Sequence, residues 1–398
     1  METLVFNHST GNAAAILQNG GLVSVPTETV YGLAGNGLDE KAVEKIYAVK
    51  GRPAVKPLSL MVSSTEEIGR YACEIPDAAE TLAKKYWPGP LTMVFRARPE
   101  IPEIVRAGGS TIGLRCPDHR LTLQLLREAG IPFAAPSANL SGGKSPKTAE
   151  DVLAVFQGQI DAVVDGGPCT IGTESTILDL SAVPYHVLRI GALSAEEIED
   201  TLVHAMTIIG ITGSTGSGKS SALEALRDRG ALVIDCDAVY HELLTTSEEM
   251  MRQLLSRFPD AFSSGAFDRK ALGRSVFADA KALQDLNHLS HRFVKQEVWR
   301  RLRQHAMSGG KTAAIDAIEL ISSGLDAFCD VTVAVLAPEE VRINRIMKRD
   351  GISEEYARAR VKAQKTDDYF RKNCTFTVEN NGTEEEFLHN FIQTIWKE

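Results

Sequence analysis

Lys219 and Ser220 close the string GSTGSGKS at residues 213–220, which fits GxxxxGK followed by Ser or Thr. In such a loop the glycines let consecutive backbone N–H groups curl around a polyphosphate. The lysine reaches the outer phosphates, and the hydroxyl is placed to ligate magnesium. Gly213, Thr215, Gly216, Ser217, Gly218, Lys219, Ser220 and Ser221 are therefore candidate ATP contacts, with Ser220 the candidate Mg2+ ligand. A solvated glycine turn is the bland alternative. A pair of acids follows at Asp235 and Asp237. Spaced by two at a strand end, both carboxylates would face the phosphate loop; read otherwise, they are helix caps. In the first half Lys50, Arg52 and Lys56 fall within seven residues, interrupted by Gly51 and Pro53 and followed by Pro57. That composition suits a rigid anion-binding loop, although cations at a helix end can equally offset the helix dipole.

The elements that must carry these groups follow from periodicity. Ile208 to Thr212 reads as a buried strand entering the glycine loop, and Ser220 to Arg229 as the helix leaving it. Ala231 to Ile234 is a strand, 268–277 and 279–307 are helical, and Thr312 to Asp316 and Val331 to Leu336 are core strands. Pro338 to Arg349 is a further helix, after which Arg349, Arg358 and Arg360 fall on a long helical stretch ending near Tyr369, either a solvated face or a lid. Earlier in the chain, Asn12 to Asn19 is a short helix, Leu22 to Val25 a strand, and Asp39 to Val49 the amphipathic helix that delivers Lys50. Thr111 to Arg115 and Phe133 to Asn139 read as strands breaking into polar loops, and His186 to Gly191 as a strand carrying Arg189; Ser194 to Ala205 is a closing helix.

A length of 398 residues suits two domains, divided here at 1–205 and 206–398, because a glycine loop of this kind sits near the start of its own domain. Hydrophobic content of 43% and charged content of 24% match a soluble globular chain, and no apolar run approaches the roughly 18 residues of a membrane span. No secretory signal is visible, so the expected location is the cytoplasm. The six cysteines show no metal or disulfide spacing. A net charge of -9 disfavours broad nucleic-acid binding.

The first half resembles the YrdC-like family of threonylcarbamoyl-AMP synthases through PTETVYGL, YAVKGRP, KYWPGPLT, APSANLSG, GTEST and VLRIGAL, over roughly residues 3 to 200. The resemblance implies a twisted α/β sheet with a positive cleft, and condensation of L-threonine, bicarbonate and ATP into threonylcarbamoyl-AMP and pyrophosphate. That product serves tRNA threonylcarbamoyladenosine modification, which implies contact with tRNA or tRNA-modification proteins and binding of double-stranded RNA. Carried over by motif, Lys50, Arg52, Lys56, Thr111, Ser137, Asn139, Ser145 and Arg189 would hold ATP. Thr29, Arg115 and Ser175 would hold threonine, and Lys50 and Arg52 would be catalytic through charge stabilisation. Met61 stands near a position where many relatives have histidine.

The second half resembles dephospho-CoA kinase through GITGSTGSGKS, VIDCDAVYHELL, LNHLSHRFV, RDGISEEYARARVKAQ and VENNG. This implies a P-loop kinase with a parallel sheet flanked by helices, transferring phosphate from ATP to the ribose 3′-hydroxyl of dephospho-CoA. Asp237 would be the base or hydroxyl-orienting group, Lys219 would act on the phosphates, and Arg360 would be a lid cation. His291 is either a substrate-side residue or a helix histidine satisfied by a neighbour. Arg292, Ser322 and Thr375 replace a proline, a glutamate and an aspartate common in the family. The expectation is thus a bifunctional α/β enzyme. The rivals are a non-catalytic RNA- or nucleotide-binding first half and another small-molecule kinase in the second.

Overall fold

The structure, a computed structural model, describes residues 2–262 and 266–396. The outermost ends of the two expected domains, Met1 and residues 397–398, lie outside the described residues. The chain divides into two compact units. One comprises Met1–Leu202 with Met307–Gly309, and the other Val203–Ala306 with Gly310–Glu398.

The first unit is built on a mixed sheet. Its strands run in the order Leu4–Asn7, Ala162–Asp165, Val23–Val25, Gly32–Asn36, Phe133–Ala134, Ser59–Met61, Thr111–Arg115, Leu91–Ala97, Thr176–Asp179 and His186–Arg189. Short strands and antiparallel steps near the middle leave strand ends free to open into loops. Ser59–Met61 pairs parallel with Thr111–Arg115 and antiparallel with Phe133–Ala134, so the chain leaves Met61 and Arg115 at one end of these strands while the segment after Ala134 runs back beside Ser59. The helix Glu40–Lys50 is capped by the Asp39 side chain, which accepts from the Lys41 amide, and is ended by Gly51 in the left-handed region at φ 57°. Its apolar side buries Val43, Ile46 and Tyr47, which fixes where Lys50 emerges.

The second unit carries an all-parallel sheet in the order Leu232–Asp235, Thr312–Asp316, Thr207–Thr212, Val331–Leu336 and Phe376–Glu379. Parallel strands need helical crossovers and bury both faces, which accounts for runs such as VTVAVL. The strand Thr207–Thr212 sits centrally, flanked by Thr312–Asp316 and Val331–Leu336. Its carboxyl end, the usual ligand end of such sheets, opens into the glycine loop and the helix Lys219–Asp228. The helix Glu384–Ile395 starts with a capping box between Thr383 and Glu386 and lays Phe387 and Phe391 into the core with Leu226, Val335 and Val378. A separate helical layer packs Met250, Leu254, Phe258, Leu272 and Phe293 together.

The three arginines expected on one long helix lie instead on two helices. Glu339–Asp350 ends at Gly351, φ 67°, and Ser353 caps a new helix at Glu354–Lys362. Thr366 then caps Asp367–Asn373, the helix that contains Tyr369. Glycine in the left-handed region and two hydroxyl caps outweigh the helical propensity of the intervening residues. Among the described residues no helix is long and apolar enough to cross a membrane.

Phe391 is fully buried. Phe391→Ala removes an aromatic ring from a closed core and is expected to lower the stability of the second unit by about 3–5 kcal/mol. Urea unfolding followed by circular dichroism checks this.

Candidate functional site

In the first unit the residues after three strand or helix ends converge on one cleft. The Tyr47 hydroxyl donates to the carbonyls of Lys56 at 2.9 Å and Ile104 at 3.1 Å. Arg52 donates through Nε to the Lys56 carbonyl at 3.2 Å and through Nη2 to the Pro57 carbonyl at 2.9 Å. The loop is therefore closed on itself, with the cations at its surface. Lys50 behaves differently. It is 2% exposed, and its ammonium donates to the carbonyls of Ser137 and Asn139 and to Asn139 Oδ1. Burial, followed by the charge of Arg52, pushes its pKa down to about 8. The partner loop is tied further by Ser137 Oγ donating to Asn139 Oδ1 at 2.6 Å and by the Ser141 amide donating to the Lys50 carbonyl at 2.9 Å.

Arg115, at the end of its strand, is buried against Glu28 at 2.7 Å. It also donates to Thr29 Oγ1 at 2.8 Å and to the Gly89 carbonyl at 3.2 Å. Arg189 donates to the Ser175 carbonyl at 2.8 Å and pairs with Glu174 at 2.6 Å. Ser175 Oγ and Thr92 Oγ1 lie 2.9 Å apart. Lys50, Arg52, Lys56, Met61, Arg115, Ser137, Asn139, Ser175 and Arg189 all line one cavity of about 320 Å³. Thr29, Thr111 and Ser145 stand outside that lining. Thr29 supports Arg115, Ser145 Oγ donates to Glu174 at 2.8 Å, and Thr111 begins its strand opposite Arg96. Glu28 and Glu174 were not singled out from sequence. Their one signal is an acid inside each of two hydroxyl-rich motifs, TET and TEST.

In the second unit the glycine loop is gripped from outside. Arg342 Nε donates to the Thr215 carbonyl at 3.2 Å, Arg345 Nη1 to the carbonyls of Gly216 at 3.3 Å and Ser217 at 3.1 Å, and Asn380 Nδ2 to Ser217 O at 2.8 Å. Peptide planarity turns the amides of Gly216 and Gly218 the opposite way, inward. Gly213, Gly216 and Gly218 have φ of 131°, 83° and 98°, and a Cβ on Gly218 would lie 2.1 Å from Asn380 Nδ2. Thr215 is held by Gln364 through its amide at 3.0 Å and its hydroxyl at 2.7 Å.

Lys219 Nζ donates to the Gly213 carbonyl at 3.1 Å and lies 4.0 Å from Asp316 Oδ1. Ser214 to Ser220, Asp235, Asp237, Asp316, Arg345, Arg349 and Arg360 line a cavity of about 640 Å³. Ser221 is outside the lining, its hydroxyl donating to Glu384 at 2.7 Å.

The spacing of two does not place Asp235 and Asp237 as alternate strand residues. Asp235 ends the strand and caps the helix Cys236–Thr246, accepting from the amides of Asp237 at 2.9 Å and Ala238 at 3.0 Å, and Asp237 sits in the first helical turn. Both still face the cavity. Asp316 was missed, although a strand ending in aspartate beside the central strand was visible. Its Oδ1 has no hydrogen-bond partner, and burial pushes its carboxyl up to about 6 against the pull of Lys219.

Arg360 pairs with Asp350 at 2.6 Å, and Arg349 pairs with the same acid at 2.7 Å; Arg358 turns to Glu340 and Glu354, each at 2.8 Å. His291, half-buried on the helix Ala280–Met307, is outside the lining of this cavity; burial lowers its pKa and the charge of Glu319 opposes that. Of the replacements, Arg292 lies over the Phe293 ring, the Ser322 hydroxyl donates to Glu319, and Thr375 contacts Thr332 Oγ1 at 3.2 Å.

Fold and clefts define two α/β classes in one chain: a mixed sheet with a cation-lined cavity, and a parallel sheet with a glycine loop at its central strand. A family model described as "Telomere recombination" (Sua5/YciO/YrdC) matches residues 15–191, and one described as "Dephospho-CoA kinase" matches 207–386. A threonylcarbamoyl-AMP synthase of Pyrococcus abyssi is 46% identical over 190 residues, 48% of this chain and 56% of its own. A synthase relative from Mycobacterium tuberculosis is 34% identical over 200 residues, covering 50% of this chain and 92% of its own. A dephospho-CoA kinase of Symbiobacterium thermophilum is 35% identical over 180 residues, 45% of this chain and 75% of its own. The chain belongs to the threonylcarbamoyl-AMP synthase family in its first unit and to the dephospho-CoA kinase family in its second. It spans about half the length of the first curated relatives it matches.

The depressed pKa of Lys50 has a linkage consequence. Its folded value of about 8 lies below the ordinary 10.5, so between those values the unfolded chain binds more protons and stability rises with pH. The unfolding free energy of the parent relative to Lys50→Met should therefore grow by about 2–3 kcal/mol from pH 8 to 10.5. Denaturant titrations of both proteins across that range measure it.

Proposed function

We propose that the first unit makes threonylcarbamoyl-AMP and pyrophosphate from L-threonine, bicarbonate and ATP, and that the second phosphorylates the ribose 3′-hydroxyl of dephospho-CoA. The observation that most strongly supports the first reading is the set of five cations, Lys50, Arg52, Lys56, Arg115 and Arg189, around one cavity. N-carboxythreonine is an anion whose carboxylate oxygen attacks the α-phosphorus of another anion while the bond to the pyrophosphate oxygen breaks. Fixed positive groups that neutralise both partners and hold them in line, together with magnesium, would be the main catalytic device. Arg52, Lys56 and Arg189 bind the phosphates with the Ser137–Asn139 loop, and Ser145 and Thr111, off the cavity lining, would meet ATP only at its margin. Lys50 clamps that loop and supplies buried charge. Arg115, oriented by Glu28 and Thr29, receives the threonine carboxylate beside Ser175.

For the second unit the supporting observation is the inward-facing loop with Lys219 beside it. The amides of Gly216 and Gly218 bind phosphate, Lys219 reaches the outer phosphates, and Asp316 fixes the lysine. Asp237 orients the acceptor hydroxyl, and Arg360 and Arg349 approach the transferring group from the neighbouring helices. Among the described residues no three acidic, histidine or cysteine side chains could hold a metal alone. The exposed Ser220 hydroxyl, with carboxylates across the same cavity, fits a magnesium ion that takes its remaining ligands from phosphate and water. Bound there, magnesium would neutralise charge on the outer phosphates. His291 serves the acceptor side. The reading extends to a cytoplasmic chain with separable domains 1–205 and 206–398, whose first product serves tRNA modification through contact with tRNA or its modifying proteins.

Arg52→Ala should lower threonine-dependent pyrophosphate release by roughly one to two orders of magnitude while leaving dephospho-CoA phosphorylation intact, since a charge-assisted contact of about 1.5–3 kcal/mol is lost from one cleft only. Near-normal release by this variant would refute the role. Asp237→Asn should reduce coenzyme A formation by roughly two to four orders of magnitude with little change in ATP affinity. Turnover by product formation and affinity by calorimetry, from one preparation, decide between Asp237 and its neighbours Asp235 and Asp316.

A further inference from the structure

Glu174 is the only carboxylate on the lining of the first unit's cavity among the described residues. Its two oxygens are divided. Oε2 pairs with Arg189 Nη1 at 2.6 Å, and Oε1 accepts from Ser145 Oγ at 2.8 Å. On the reading above, those same two side chains bind ATP. A carboxylate in that position offers them what a phosphate oxygen would offer, a negative acceptor at hydrogen-bond distance. The acid also acts across the cleft, since its charge opposes the downward shifts of the Lys50 and Arg52 pKa values.

The backbone at this residue is pinned and the side chain is not. The Glu174 carbonyl accepts from the Ala192 amide at 2.9 Å, and a Cβ on Gly191 would lie 2.1 Å from that carbonyl. The Glu174 side chain, by contrast, is 36% exposed. It can therefore swing out without moving the strand Thr176–Asp179 that follows.

We propose that Glu174 is an internal competitor for the triphosphate: it holds Arg189 and Ser145 in a contact that ATP must displace, and so sets the affinity of this cleft for ATP. The inference rests on the synthase reading for the identity of the ligand. Threonine is touched differently, since Arg115 answers to Glu28 and not to Glu174.

The test is the KM for ATP and the KM for threonine in threonine-dependent pyrophosphate release by the full chain. Glu174→Gln should lower the KM for ATP about two- to fivefold, the worth of a partly exposed ion pair, and leave that for threonine unchanged. Glu174→Asp keeps the charge but, from a pinned backbone, is one methylene too short to hold both partners, so its KM for ATP should also fall, by a smaller factor. An unchanged or raised KM for ATP in Glu174→Gln would overturn the proposal. So would Glu174→Asp matching the parent while Glu174→Gln falls, which would reduce the effect to distant charge repulsion. Calorimetric titration of ATP in a Lys219→Ala background reads the same contact without turnover. A parent that binds ATP there but releases no pyrophosphate would count against the synthase reading alone, and the Glu174→Gln titration would still decide the competitor role, tighter binding supporting it and equal or weaker binding refuting it.

Discussion

Cations gathered in a partly desolvated cleft must be neutralised from within, and much of the first unit's site is a consequence of that constraint. A buried charge without partners costs several kcal/mol, so Lys50, Arg115 and Arg189 recruit acceptors from other parts of the chain, whereas Arg52 takes carbonyls of its own loop. Lys50 takes the carbonyls of Ser137 and Asn139, Arg115 takes Glu28, and Arg189 takes Glu174. These contacts span 87 residues in sequence for Lys50 to Ser137 and 87 for Arg115 to Glu28. The loops that form the cleft are thus located by the charges they serve. Removing one such charge would free a loop as well as a ligand contact.

The second unit meets the same demand with dipoles. Its glycine loop carries no buried ion; the carbonyls of Thr215, Gly216 and Ser217 are drawn outward by Arg342, Arg345 and Asn380, and the amides of Gly216 and Gly218 follow inward by planarity. The helix Lys219–Asp228 adds its positive end at the same point. Opposite stands Asp316, held near Lys219 with one oxygen unbonded, a costly arrangement of the kind found at functional sites. The first unit therefore brings positive potential to its cavity by side-chain charge, and the second adds oriented peptide groups to the charges of Lys219, Arg345, Arg349 and Arg360.

The elements were legible in the sequence wherever a periodic apolar pattern met a local terminator. The helix Glu40–Lys50 has its Asp39 cap and Gly51 stop within the segment itself, and the strand Thr207–Thr212 is an apolar run ending in glycine. The arginine-rich stretch after Asp350 was misread because its strong helix formers masked Gly351 and the caps Ser353 and Thr366. Asp237 was placed on a strand because period-two spacing cannot show that Asp235 has already turned the chain into a helix.

What the sequence by itself determined was the inventory: two α/β units, a glycine loop with its lysine and serine, and a run of cations after a helix. Each is encoded within a window of about ten residues, where dihedral preference, capping and periodicity act. Which acid answers which cation was decided only by tertiary structure. Glu28, Glu174 and Asp316 carry local signals that place an acid in a motif or at a strand end but do not name its partner, since a carboxylate reads alike on a surface and in a cleft. Their roles come from strands distant in sequence being brought side by side, and from the low dielectric that burial then creates around them.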